Sequence, residues 1–300
     1  MKKQEKLLRG CILVIAVTLA VCIGFVYVTR LREPVFLTYC TAVSAVPEPE
    51  SGYHQPVLEL QYLTNKEDRR TVTGISFLEA PEFFFSATEN DQSYSWTGGF
   101  STFEQNTSPK LGETIGRYSL RKIYVYMNNH FQKDWKGEVE LNQARVQFND
   151  GSTILTDLGR IILYSEDIEG WGFATEISSS SNQGEASTGY RVIRDITEVT
   201  LESPLLEDMF RRFELKVNGR IYERASEIEC NKGDDLFISS SYREAGKEGA
   251  EYDIYDVRPS LSYTGEDGNR RNSRVYNIAY RKYFYSYYDV LKYLKNRGKI

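Results

Sequence analysis

Three carboxylic acids and one tryptophan stand close together in the segment EDIEGWGF: Glu166, Asp167, Glu169 and Trp171. A glycoside hydrolase needs two carboxyl groups across a cleft, one as a general acid and the other as a nucleophile or general base. A solvated turn with one aromatic side chain anchored in the core has the same composition. We favour the turn, and glycoside hydrolysis is the third of our functional hypotheses.

The other residue types that carry chemistry form no recognisable pattern. The two histidines, His54 and His130, are distant in the sequence, so a triad or a metal site would require them to converge. The sequence has no Gly-x-Ser-x-Gly elbow, no phosphate-binding glycine loop and no zinc-type spacing of Cys and His. GEDGN (265–269) lacks the spaced oxygen ligands of a calcium loop and is explained by a turn. We therefore expect no catalytic residue, no bound metal and no cofactor.

Aromatic residues are concentrated in SYSWTGGFSTF (93–103), which contains Tyr94, Trp96, Phe100 and Phe103. Exposed aromatic rings on a β surface stack on sugar rings and also suit protein partners. Their spacing is equally that of one buried face of a strand. These four are candidate binding residues for a neutral or anionic cell-surface glycan, and core packing is the alternative that we favour.

Positive charge is concentrated near the C-terminus, where residues 281–300 contain six Lys or Arg and one Asp. Lys292, Lys295 and Arg297 are candidate binding residues for an anionic polymer, for lipid headgroups or for the groove of a partner. The alternative that we favour is a solvated helix face, because positive charge near a helix C-terminus also complements the helix dipole.

The same segment has the pattern of a short amphipathic helix. Ser286 followed by Asp289 is a variant of the capping box, and Gly298 suits the left-handed residue that ends a helix. Four apolar residues recur at helical spacing between them: Tyr287, Val290, Leu291 and Leu294. We predict a C-terminal helix that docks on the preceding domain.

An uncharged run of 18 residues, CILVIAVTLAVCIGFVYV (11–28), is the sharpest signal in the sequence. A helix of this length spans most of a hydrocarbon core of about 30 Å. Four basic residues precede the run within 1–10, whereas Arg30 and Arg32 follow it closely. Because basic residues favour the cytoplasmic side, we predict a cytoplasmic N-terminus at 1–10, a transmembrane anchor at 11–28 and an extracytoplasmic remainder.

Two alternatives stay open for this run. A cleaved secretory signal needs small residues close behind the apolar region, and the nearest candidate, Val43-Ser44-Ala45, lies beyond two arginines. A lipoprotein signal would end at Cys22, but the bulky Val21 precedes it and apolar residues continue past it. An uncleaved signal-anchor in the cell membrane is the interpretation that we favour.

The charge and the cysteine content of the residues after the apolar run limit which partners and which disulfides are possible. Residues 34–280 carry 25 basic and 39 acidic side chains. Since affinity for nucleic acid comes largely from neutralising phosphates, a body this acidic argues against a nucleic-acid partner. The two cysteines outside the anchor, Cys40 and Cys230, can form one disulfide or stay free thiols.

Beyond the anchor the sequence favours β structure, since it is rich in Tyr and consists of short alternating segments separated by turn residues. Asp150-Gly151 and Asn218-Gly219 both suit type I′ hairpin turns. We predict a further hairpin from 57–63 and 71–78. SSSNQGEAST (179–188) is either a long hairpin connection or an interdomain linker.

The expected fold class is mainly β: a transmembrane helix, then two β-sandwich-like domains, then the short C-terminal amphipathic helix. We place a β-rich extracytoplasmic domain at 34–195 and an immunoglobulin-like β-sandwich domain at 196–300. Ser203 and Pro204 predict a helical turn in the second domain, with the proline at the first helical position.

These predictions favour a non-enzymatic, single-pass membrane protein of the cell envelope whose β domains bind a protein partner. The alternative function is a module that binds cell-surface polysaccharide. The hypotheses differ in what they require: a glycan binder exposes several coplanar aromatic rings, whereas a hydrolase places two carboxyl groups about 5 to 10 Å apart in a cleft.

Overall fold

The part of the chain that the structure describes is mainly β, as the sequence predicts. A computed structural model describes residues 2–45, 57–89, 112–127, 135, 137–165, 172–181, 184–223, 226–243, 250–275 and 278–300. The helices are α1 Lys2–Val28, α2 Leu206–Arg212 and α3 Tyr287–Asn296. The strands are β1 Val35–Phe36, β2 Tyr39–Ser44, β3 Leu58–Asn65, β4 Val72–Phe77, β5 Phe85–Thr88, β6 Glu113–Ile115, β7 Tyr118–Met127, β8 Glu138–Phe148, β9 Thr153–Tyr164, β10 Phe173–Ser180, β11 Glu185–Val192, β12 Ile196–Glu202, β13 Phe213–Val217, β14 Arg220–Ile221, β15 Asp235–Tyr242, β16 Ile254–Val257, β17 Ser260–Gly265, β18 Arg270–Arg274 and β19 Ile278–Tyr280.

α1 contains the apolar run. Its segment Arg9–Val28 has 20 residues with a mean hydropathy of 2.8, and it is not buried against the rest of the protein. A helix of this length and composition is either a membrane anchor or a signal sequence.

Two sheets enclose the first apolar core. One has the order β1-β3-β7-β5, with β6 added to β7, and the other has the order β19-β16-β2-β9-β8-β4. Leu60 and Ile123 from the first sheet share a buried cluster with Leu141 and Ile161 from the second. The apolar stripe of α3 closes this core, because its Val290, Tyr293 and Leu294 belong to the same cluster. The helix therefore packs on the first core, and the prediction that it docks on the domain directly before it is wrong.

Two further sheets enclose a second apolar core. Their orders are β10-β11-β15-β13-β14 and β12-β17-β18. Tyr190 and Leu236 from the first of these pack with Leu261 from the second, and Cys40 and Ile162 from the six-stranded sheet join them. The six-stranded sheet therefore has an apolar core on each face.

β2 has the central place in this arrangement. It pairs in parallel with β9 on one side and with β16 on the other. Since successive side chains of a strand point to opposite faces, Tyr39 enters the first core and Cys40 the second. With β16 the chain thus returns to the second strand after α1.

Both turn dipeptides lie in hairpins, although only one turn has the predicted type. β13 and β14 pair at Val217 and Arg220, and the intervening Asn218 and Gly219 have φ of 48° and 78°, as a type I′ turn requires. β8 and β9 also form a hairpin. There Gly151 has a φ of 82° but Asp150 does not have a positive φ, so the type I′ prediction is wrong.

The predicted hairpin of 57–63 and 71–78 is wrong. β3 pairs with β1 and β7, whereas β4 pairs with β8 in the other sheet. The connection crosses between sheets and is held by buried Arg121, whose guanidinium donates hydrogen bonds to the carbonyl oxygens of Arg70, at 2.6 Å, and of Asp68. Both strands exist as predicted, but burial along β3 does not alternate, and an alternating sequence does not identify the partner of a strand.

β10 pairs with β11 from Phe173 to Ser180, so the Ser/Gly-rich segment (179–188) belongs to a hairpin. It is not a long connection, because residues 179–180 and 185–188 lie in the two strands. β11 also pairs with β15, so strand pairing crosses the predicted domain boundary at 195/196. The two domain ranges therefore stay predictions from the sequence.

The first residues of α3 were predicted correctly from the sequence, whereas those of α2 were not. α2 has Leu205 as its N-cap, so the prediction that Pro204 takes the first helical position is wrong. Ser203 Oγ accepts a hydrogen bond from the Leu205 N–H at 3.1 Å. α3 has the predicted capping box of Ser286 and Asp289. Gly298 follows it with a φ of 64°, which is the predicted left-handed stop.

Candidate membrane-proximal site

The end of α1 is fixed to the first β-sandwich by side chains of β7 and β3. The last turn of a helix leaves carbonyl oxygens without intrahelical partners. Arg117 donates hydrogen bonds to the carbonyl oxygen of Val26, at 3.1 Å, and to Oγ1 of Thr29, at 3.0 Å. The Tyr118 hydroxyl donates to the carbonyl oxygen of Thr29. Two neighbouring residues at the start of β7 thus cap the helix.

The segment that follows is fixed by Asn65 at the end of β3. The N–H of Leu31 donates to Asn65 Oδ1 at 3.1 Å, and Asn65 Nδ2 donates back to the carbonyl oxygen of Leu31 at 2.7 Å. Leu31 itself is buried in the first core. The passage from helix to sheet is therefore an ordered part of the fold.

A crevice opens beside this junction, which we name the basal crevice. Its volume is about 1260 Å³. Its walls come from the end of α1 and the segment that follows it, from the start of β9 and from the residues that follow α3. Tyr27, Leu155 and Ile300 contribute apolar surface. The exposed fractions of Tyr27 and Leu155 are 80% and 59%. Tyr27 and Leu155 are therefore large apolar side chains that the described chain leaves mostly exposed.

Basic side chains outnumber acidic ones in the basal crevice. Its basic residues are Arg30, Arg32, Arg297 and Lys299, and its acidic residues are Glu33 and Asp157. Arg297 forms an ion pair with Asp253, and Asp157 accepts a hydrogen bond from the Gly159 N–H at 2.8 Å. The sequence pattern did not single out this site, because its walls come from three distant segments.

Buried acidic residues anchor the C-terminal segment next to the crevice. Glu251, which is 8% exposed, lies 2.9 Å from Lys292 Nζ, while Arg297 pairs with Asp253. Burial raises the pKa of Asp253 to about 6, and the neighbouring Arg297 opposes this rise. The two ion pairs join α3 to the chain just before β16.

The predicted binding residues of the tail are therefore divided among different environments. Lys292 and Arg297 form the ion pairs just described, whereas Lys295 is exposed on α3. Their binding role stays a prediction. The other predicted binding residues lie outside the described residues: Tyr94, Trp96, Phe100 and Phe103.

The residues considered for catalysis and metal binding are also outside the described part of the chain, namely His54, His130, Glu166, Asp167, Glu169 and Trp171. Within the part that the structure describes, no three His, Cys, Asp or Glu side chains are grouped so that they could hold a metal ion.

Cys40 and Cys230 are free thiols and do not form a disulfide. Burial raises the pKa of Cys40 to about 12 and that of Cys230 to about 11. Since the thiolate is the reactive form of cysteine, both side chains are poor nucleophiles at neutral pH.

Comparison with known proteins finds no family. No family model matches the chain, and no curated protein matches it. One similar solved structure is a protein of unknown function from Porphyromonas gingivalis W83, with 9% identity, a TM-score of 0.21, and coverage of 83% of this chain and 99% of that one. Another contains fibronectin(III)-like modules of Clostridium thermocellum CbhA, with 7% identity, a TM-score of 0.18, and coverage of 81% and 93%. Similarity this low supports no conclusion about function.

Proposed function

We propose that this chain is a single-pass membrane protein whose N-terminal helix holds the β domains close to the outer surface of the cell membrane, where they act as a non-enzymatic interaction or accessory module. The observation that carries this proposal is the exposure of α1. Its large apolar side chains between Ile12 and Val28 are 44–80% exposed. Transferring one such side chain into an apolar phase contributes about 1.5–3 kcal/mol, so a bilayer is the environment that this helix fits.

The position of β2 favours an uncleaved anchor over a secretory signal. Cleavage near Val43-Ser44-Ala45 would remove β1 and nearly all of β2 from the mature protein. β2 lies between β9 and β16 and lines both apolar cores, so its loss would divide the six-stranded sheet. The hydrogen bonds of Arg117 and Tyr118 to the end of α1 support the same choice, because they tie the helix to the domain.

The charge distribution supports an extracytoplasmic position of the β domains. Four basic residues lie before the apolar run and two lie directly after it, and the larger number favours the cytoplasmic side. The partner in this proposal is a protein of the cell envelope.

Anchoring and orientation are tested together on the full chain. Membranes from cells that express it are washed with alkaline carbonate, which removes peripheral proteins, and we expect the chain to stay in the pellet. Single cysteines are introduced at exposed Lys232 and at Lys3. A membrane-impermeant maleimide should label Lys232→Cys in intact cells and Lys3→Cys only after permeabilisation, above the labelling of the unmodified chain. Release of the chain by carbonate refutes the anchor, and the reverse labelling pattern refutes the orientation.

The partner is tested by chemical crosslinking in intact cells followed by mass spectrometry. A reproducible envelope protein, absent when the β domains are removed and α1 is retained, supports an interaction module. Recovery of cell-surface polysaccharide by the purified chain, with no crosslinked protein, refutes this choice of partner.

A further inference from the structure

Anchoring requires only a sufficiently long apolar helix. It does not explain why a large crevice with an excess of basic residues lies beside the C-terminal end of that helix. We propose that the basal crevice binds the headgroup of an anionic phospholipid from the extracytoplasmic leaflet. This inference rests on the proposed anchoring by α1, because only an anchored chain presents the crevice to that leaflet.

Position is the first argument. The 20 residues of Arg9–Val28 span about 30 Å as a helix, which matches the hydrocarbon core of a bilayer. Residues directly after Val28 then lie at the level of the headgroups. Tyr27, which is 80% exposed, sits where aromatic side chains of membrane proteins mark the interface. Because the end of α1 is hydrogen-bonded to β3 and β7, the crevice stays at this level.

Charge is the second argument. Arg30, Arg32 and Lys299 are exposed, and no ion pair involves them within the described ranges. A guanidinium group binds two phosphate oxygens at once, and an ammonium group adds a point charge. These three cations exceed Glu33 and Asp157, the two acidic residues of the crevice wall. The excess favours an anionic headgroup over a zwitterionic one.

Apolar surface in the same crevice distinguishes a lipid from a free phosphate ion. Leu155, which is 59% exposed, and Ile154 line the crevice together with Tyr27. A free phosphate ion would leave this surface in water, whereas the glycerol and the first methylene groups of a lipid would cover it. The volume of about 1260 Å³ also exceeds the range of about 300–1,000 Å³ that is usual for small-molecule sites.

The test uses the full chain in a neutral detergent and dihexanoyl-phosphatidylglycerol as a soluble probe, titrated by calorimetry. Dihexanoyl-phosphatidylcholine and inorganic phosphate are titrated in parallel. The variant Arg30→Gln/Arg32→Gln/Lys299→Gln removes the three cations. A matched control, Arg145→Gln/Arg220→Gln/Lys232→Gln, removes the same number of exposed cations elsewhere.

We expect the unmodified chain and the control to bind phosphatidylglycerol more tightly than either comparison compound. Each cation removed from the crevice should weaken that binding about fivefold. Equal affinity for phosphatidylcholine, equal affinity for inorganic phosphate, or an equal loss in the control variant would each overturn the proposal.

Carbonate extraction of the crevice variant separates this proposal from the anchor. We expect that variant to stay in the membrane as firmly as the unmodified chain, because α1 is unchanged. If the unmodified chain itself is extracted, the anchor fails. If it stays and phosphatidylglycerol is not preferred, the lipid site alone fails.

Discussion

Protonation of Asp253 should stabilise the folded chain at mildly acidic pH. The side chain is 12% exposed, and burial raises its pKa from 3.8 to about 6 against the opposing effect of Arg297. A tenfold change in an acid dissociation constant corresponds to about 1.4 kcal/mol. The folded state therefore favours protonated over ionised Asp253 by about 3 kcal/mol, relative to the unfolded state. This contribution is fully present below pH 3.8 and is lost as the pH rises through 6.

The variant Asp253→Asn isolates this contribution, since asparagine does not titrate. Urea unfolding of the full chain in detergent, followed by tryptophan fluorescence, gives the free energy of unfolding at each pH. Between pH 7 and pH 4 the unmodified chain should gain about 2 kcal/mol relative to the variant, because the full contribution is reached only below pH 3.8. The charged groups around Asp253, namely Glu251, Arg212 and Arg297, are present in both proteins, so their own titration largely cancels in the difference.

Asp68→Asn is the matched control. Although burial opposes it, hydrogen bonds from Arg70 and Thr64 hold the pKa of Asp68 down to about 2. The stabilisation from Asp68 is thus present above pH 3.8 and is lost as the pH falls towards 2. The difference in the free energy of unfolding between the unmodified chain and Asp68→Asn should therefore stay nearly constant between pH 7 and pH 4. A difference for Asp253→Asn that is also flat over this range, or that has the opposite sign, would refute the reasoning.

Three further predictions concern stability, measured by urea unfolding. Arg121→Met should cost about 3–5 kcal/mol. Arg121 is 1% exposed, and its loss breaks the ion pair with Glu89 and removes the guanidinium donor of the carbonyl oxygens of Arg70 and Asp68. Exposed Lys122→Met should change little. Ser286→Ala should cost about 1 kcal/mol by removing the cap of α3, and an unchanged value would contradict the capping box. Gly159→Ala should destabilise the chain by more than Gly151→Ala. Both glycines have a positive φ, but a Cβ at Gly159 would collide with the carbonyl oxygen of Tyr39, whereas a Cβ at Gly151 would meet open space. Equal losses of stability would count against this reasoning.

Local patterns in the sequence predicted local structure well. Ser286, Asp289 and Gly298 identified α3, and Asn218-Gly219 identified a type I′ hairpin. Each of these features depends on side chains and φ angles within a few residues of one another. The apolar run likewise identified α1, because length and hydropathy are properties of the segment itself.

Partners across long distances were not predictable in the same way. Alternation in 57–63 and 71–78 showed two strands but not that they belong to different sheets, since the same pattern suits any partner with an apolar face. The parallel pairing of β2 with β16 joins residues more than 200 positions apart. The positions of Arg30 and Lys299 in one crevice were missed for the same reason, because the basal crevice exists only where the end of α1, β9 and the C-terminal segment meet.

Local periodicity, composition and turn chemistry were sufficient to predict the long apolar helix, the mainly β body and the capped terminal helix. The folded structure was needed to show that β2 lies between two cores and that Lys292 and Arg297 are paired with buried acids. It was also needed to show that other cations lie together beside the end of α1. Such placements depend on which distant surfaces bury one another, and a single sequence does not specify those contacts.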